Sequence, residues 1–183
     1  MHNAIRVSLS LIFLTGCATV APRQYLDMDT AATITVVANP WVFVSDDRNS
    51  AFGKRGFLDL YALDVNRAGT HQRYFAVMQS SFDAVLPDSG SSGPTLELQA
   101  GGQKLEFQST AQNLRELGVA QPLENKSAME SRWWCFPVTK DDVAAVSQTR
   151  DPRVTLVAQD ARFTYVEFRN GSKELTELLA TLQ

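Results

Sequence analysis

Thr95-Leu96-Glu97-Leu98-Gln99-Ala100-Gly101-Gly102-Gln103-Lys104-Leu105-Glu106-Phe107-Gln108 is the stretch whose reading decides the fold. Two alternating runs flank a two-residue Gly-Gly turn, which suits the backbone twist of a tight hairpin. Folding there sets Leu98 opposite Leu105 and Leu96 opposite Phe107. All four then share one face, as a half-buried sheet requires. The same register sets Glu97 opposite Glu106, a like-charge pair that calls for a solvated face or a bulge.

The strand texture continues on both sides. Upstream, Pro87-Asp88-Ser89-Gly90-Ser91-Ser92-Gly93-Pro94 is a turn-rich loop. Before it, Phe57-Leu58-Asp59-Leu60-Tyr61-Ala62-Leu63-Asp64-Val65 and residues 71–78 form a second hairpin around Asn66-Arg67-Ala68-Gly69. Thr33-Ile34-Thr35-Val36-Val37 and Trp41-Val42-Phe43-Val44 are strands interrupted by Asn39-Pro40. The loop that follows contains Asp46 and Asp47, oxygen ligands of the kind Ca²⁺ uses. It lacks the Asp spacing and distal Glu of an EF-hand and reads as a solvated loop.

Downstream, residues 109–127 show little beyond one helical turn over 113–117, ended by Gly118. Residues 129–138 are strand-like, and Pro137 argues for a strand end or an edge. Trp133 and Trp134 alternate on that strand, so that one faces the core and the other solvent, where it can stack on a sugar or anchor a partner. Thr139 and Asp142 have capping-box spacing at the start of a short helix, and Val143 and Val146 are its apolar side. After Asp151-Pro152, residues 153–159 and 162–169 are strands, and Asn170-Gly171 is a turn. Ser172 is expected to cap a last helix whose Leu175, Leu178, Leu179 and Leu182 lie at i, i+3, i+4 and i+7. The predicted fold is mainly β: an antiparallel sandwich or half-open barrel with one short internal helix and a C-terminal amphipathic helix.

Few residues offer chemistry. A Ser–His–Asp hydrolase needs a base, and His71 is the only histidine beyond His2. Gly90-Ser91-Ser92-Gly93 is not the Gly-x-Ser-x-Gly elbow. Too few His and Cys are present for a zinc site, and no metal or other cofactor is expected. Glu97 and Glu106 resemble a glycosidase pair only in being adjacent carboxylates. Cys135 reads as a small buried residue of a strand.

The N-terminus is more specific. Arg6 precedes an apolar run, Val7-Ser8-Leu9-Ser10-Leu11-Ile12-Phe13-Leu14, too short for the roughly 20 residues of a membrane span. Leu14-Thr15-Gly16-Cys17 then resembles the lipobox of bacterial lipoproteins: Leu, two small residues, Cys. The resemblance covers residues 1–17. It implies a diacylglycerol on the Cys17 sulfur and cleavage between Gly16 and Cys17. The organisation expected is a signal peptide over 1–16, lipidated Cys17 and a tether over 17–30, and one β-rich domain over 31–183. The 13 residues after Cys17 would reach roughly 43 Å. Ala18 in place of Asp after the cysteine implies the outer membrane, where the source has two membranes.

Removal of 16 of the 183 residues leaves 167, enough for one sizeable core. Arg6 leaves with the signal, so 16 Lys+Arg face 20 Asp+Glu. An acidic chain without a basic run is a poor nucleic-acid binder. The expected partners are the membrane, through the lipid on Cys17, and an envelope protein or glycan. The function expected is a non-enzymatic binding, assembly or structural module of the cell envelope; the alternative is an envelope hydrolase with an unfamiliar active site.

Overall fold

The computed structural model describes residues 21–46, 56–81, 93–100, 103–111, 113–121, 123, 130–159 and 161–182. At its centre is the long hairpin of β4 (Gly56–Arg67) and β5 (Thr70–Ser81). Ala68 at φ 50° and Gly69 at φ 90° are the two left-handed residues its tight turn needs. Asn66 Oδ1 accepts the Gly69 N–H at 2.8 Å. Residues 58–65 are buried throughout. Being covered on both faces, β4 shows a dense apolar run instead of clean alternation.

One edge of β4 takes the whole of β5. The other is shared: β2 (Ala32–Val36) pairs with residues 63–66, and β3 (Trp41–Ser45) with residues 57–60. β1 (Arg23–Asp27) lies beyond β2. Beyond β3 come β10 (Ala161–Arg169), β9 (Arg153–Ala158), β6 (Thr95–Ala100) and β7 (Gln103–Gln108), in that order. β8 (Glu130–Val138) pairs with the free edge of β5. It is an edge strand, where the missing N–H of Pro137 interrupts no continuing ladder. All of these pairings are antiparallel.

The sheet curls. Phe75 and Phe107 are six strand steps apart along the hydrogen-bonded path, about 29 Å in a flat sheet. Their rings meet edge to face with centroids 5.5 Å apart. The curl does not close into a barrel. Between the segment after β7 and β8 there is a bridge, in which Cys135 N–H donates to Ala111 O at 3.0 Å and Thr110 N–H to Cys135 O at 2.9 Å. The enclosed face carries Phe43, Leu58, Leu60, Val77, Leu96, Leu98 and Phe136, all buried. Gln79 Nε2 donates to Tyr165 Oη at 2.8 Å within it, so two polar side chains satisfy each other there.

The β6–β7 register is the expected one: Leu96 faces Phe107, Leu98 faces Leu105 and Glu97 faces Glu106. The Gly101-Gly102 turn lies outside the described residues. The like-charge pair is relieved by Lys104, whose Nζ lies 3.1 Å from Glu97 and 2.5 Å from Glu106, and by Arg162, 2.5 Å from Glu97.

Two helices complete the fold. α1 (Lys140–Ser147) has the predicted capping box: Thr139 Oγ1 accepts the Asp142 N–H at 3.1 Å, and Asp142 Oδ2 accepts the Thr139 N–H at 2.8 Å. α2 (Ser172–Thr181) buries Leu175 and Leu178 in the core. Lys140 Nζ joins the two helices by donating to Leu182 O at 2.7 Å. None of the described helices is long and apolar enough to cross a membrane.

Two expectations are corrected. The tether expected over residues 17–30 is strand from Arg23, because β1 pairs residue for residue with β2, from Arg23 with Val36 to Asp27 with Ala32. An edge strand held by its ladder and a buried carboxylate needs no apolar stripe. Ser172 does not cap α2. The cap position is Gly171, and Ser172 is the first helical residue, its N–H and Oγ bound to Asn170 Oδ1 at 3.0 and 2.6 Å.

Candidate functional site

Alternation along β8 separates the two tryptophans. Trp134 faces Val77 and is 5% exposed. Trp133 points to the opposite face, is half-buried, and meets the Tyr61 ring with centroids 5.7 Å apart. The chain after β7 crosses this face. It buries Leu114, Leu117, Val119 and Leu123 there.

The crossing segment is fixed by polar contacts. Asn113 Oδ1 accepts the Glu116 N–H at 3.0 Å and starts a 3-10 turn over Leu114–Leu117. Gly118 ends that turn at φ 74°, as the sequence predicted. A side chain at Gly118 would also collide with the Arg67 guanidinium, which donates to Leu117 O. Thr30 Oγ1 donates to Gly118 O at 2.7 Å, and Arg23 to Leu123 O at 3.1 Å. The buried Asp27 carboxylate accepts the N–H groups of Ala120 at 2.6 Å and Gln121 at 3.3 Å, besides those of Asp29 and Thr30. Desolvation pushes its pKa up, but these backbone donors outweigh it and hold the carboxyl below its ordinary value.

Between Trp133 and the crossing segment lies a groove of about 370 Å³. Leu114, Val119 and Trp133 form its apolar part; Asn113, Arg115 and Gln121 add polar groups. An aromatic wall with a few hydrogen-bonding side chains is the composition of a small-molecule site.

A second cluster lies across the β4–β5 ladder, which pairs Asp64 with Arg73 and Asn66 with His71. Asp64 Oδ2 is 2.7 Å from His71 Nδ1, and Asp64 Oδ1 is 3.2 Å from Arg73 Nε. A polar cavity of about 110 Å³ adjoins it, with Thr33, Thr35 and Thr181 in its lining. His71 therefore does meet an acid. Among the described residues the hydroxyls of the cavity are threonines and no serine lines it, so the described residues do not assemble a Ser–His–Asp triad there.

The other candidates are dispersed. Glu97 and Glu106 share Lys104 on the face opposite Leu96 and Leu98, so each carboxylate is engaged by a cation. Cys135 is fully buried, and desolvation with the Glu116 charge pushes its thiol up to about 12. Asp46 lies 3.4 Å from Arg153, while Asp47 is outside the described residues. Among the described residues no three His, Cys, Asp or Glu side chains gather as a metal set. Gly16 and Cys17, like the whole lipobox, lie outside the described residues.

Sequence reasoning did not single out Asp27, or the pairing of His71 with Asp64 and Arg73. The second was readable: a turn at Ala68-Gly69 counts back to Asp64 opposite Arg73. Asp27 had no such signal, since two of its partners are backbone amides more than ninety residues away. Comparison of the chain with protein-family models, with curated proteins and with solved structures finds no match.

Proposed function

We propose that the chain is a lipid-anchored lipoprotein of the bacterial cell envelope whose β-fold binds an envelope glycan in the Trp133 groove. The observation that carries the address is Leu14-Thr15-Gly16-Cys17 after a short apolar run. A diacylglycerol on Cys17, with further acylation of its amine, would hold the chain where one acyl chain alone holds marginally. Ala18 favours the outer membrane. The groove supports the binding role. The half-buried indole of Trp133 offers an aromatic surface to a sugar ring, and Arg115 and Gln121 offer donors and acceptors to its hydroxyls. Envelope glycan is also the polyhydroxylated material within reach of a tethered domain.

One experiment tests both parts. Cells are fed a fatty-acid analogue, and wild type, Cys17→Ser and Trp133→Ala are compared for acyl labelling and for retention on isolated envelope glycan. Cys17→Ser is expected to lose the label, and Trp133→Ala to keep the label but lose retention. Undiminished labelling of Cys17→Ser overturns the anchor. Unchanged retention of a folded Trp133→Ala overturns the groove.

The Asp64–His71 contact favours a second reading, an envelope hydrolase. In it Asp64 would orient His71 as base toward a hydroxyl nucleophile, and the described lining of the cavity offers threonine hydroxyls for that role.

A further inference from the structure

We infer that the end of β1 is a membrane-facing surface, with Leu26 and Met28 seated in the interface of the bilayer that holds Cys17. This rests on the acylation of Cys17 proposed above. Among the described residues three large apolar side chains are exposed: Leu26 at 52%, Met28 at 77% and Phe168 at 69%. Two of them flank Asp27. That carboxylate is fully buried and held by four backbone N–H groups. With Asp27 pinned inward, alternation pins Leu26 outward. Neither Leu26 nor Met28 can gain burial by turning the strand over without stripping a buried anion of its donors.

The length of the tether names the occupant. Residues 18–22 separate Cys17 from the first residue of β1, so Arg23 lies within about 22 Å of the acylated cysteine even when that linker is fully extended. Leu26, three residues further, is within about 32 Å on the same measure. β1 pairs with β2 alone and is an edge of the sheet. Two apolar side chains would not bring a free protein to a membrane. Tethered beside it, they act at high effective concentration, and weak insertion becomes a stable orientation.

Phe168 is the internal control. It packs on the Phe57 ring at the start of β4, centroids 6.2 Å apart. Leu26 aligns through Thr33 with Asn66 near the other end of β4. The nine residue steps from Phe57 to Asn66 span about 30 Å. A bilayer under β1 leaves Phe168 in water.

The test uses the full chain, acylated in cells and reconstituted in vesicles of phosphatidylethanolamine and phosphatidylglycerol. Leu26→Cys, Met28→Cys and Phe168→Cys each take a nitroxide, because Cys17 is blocked by lipid and Cys135 is buried. The expected result is a several-fold fall in collisions with an aqueous nickel chelate, and a rise with oxygen, at positions 26 and 28 but not at 168. Equal chelate accessibility at 28 and 168 in acylated protein overturns this inference and leaves the anchor standing. Protection of position 28 in vesicle-free, unacylated Cys17→Ser chain shows that another copy covers β1, and also overturns it. Absence of acyl label, read before reconstitution, overturns the inference and the anchor together.

Discussion

Asp27 ties a strand to the loop that walls the groove, and it does so through main-chain amides. Because its folded pKa lies below the ordinary value, its contribution is present above the unfolded pKa and is lost as pH falls through the folded one. Stability should therefore drop on acidification below about pH 4, where an ordinary carboxylate begins to protonate. Asp27→Asn should flatten part of that drop and destabilise the protein at neutral pH. The loss should be at least ~1–3 kcal/mol, the cost of leaving a buried donor without its acceptor. Urea unfolding of the two proteins at a series of pH values checks it; parallel curves would refute the role. The remaining acid sensitivity has a source in Glu97, whose pKa desolvation pushes up but Arg162 and Lys104 pull down further.

At the scale of elements, local chemistry was readable wherever a motif carried its own partners. The capping box of α1, the left-handed Gly118 and the Leu96–Phe107 register each depend on residues a few positions apart. The α2 stripe was equally plain, and its burial follows from physics: a helix of 10 residues is marginal alone in water and takes its stability from packing. Leu178 is 1% exposed, so Leu178→Ala should cost about 2–5 kcal/mol. Denaturant unfolding of the chain without its lipid measures this, and a midpoint equal to wild type would contradict core packing. The Ser172 cap failed for a reason outside α2. Gly171 sits against Trp41 so closely that a Cβ would come 2.7–2.9 Å from its side chain and backbone. Asn170 Oδ1 takes the Ser172 N–H and Oγ at the helix start, and nothing near Ser172 in the sequence announces the Trp41 contact at Gly171.

At the scale of the whole molecule, the fold should stand without metal or disulfide. Melting temperatures with and without chelator, and with and without reductant, should coincide. A marked fall with chelator would point back to Asp46 and Asp47. The sequence by itself determined the antiparallel, mainly β character, the Ala68-Gly69 turn, the capping box of α1, the left-handed Gly118 and the lipobox that motivates the membrane anchor. These are written in alternation, in turn residues and in short spacings, because the interactions behind them are local. The tertiary structure alone decided that β4 shares one edge between β2 and β3, and that the sheet curls until Phe75 meets Phe107. It also decided that residues 23–27 form a strand, and that Trp133 rather than Trp134 walls a groove. Each of those outcomes turns on contacts between distant segments. Such contacts leave no periodicity in either partner, since an edge strand or a buried carboxylate is stabilised by whatever amides the fold brings to it.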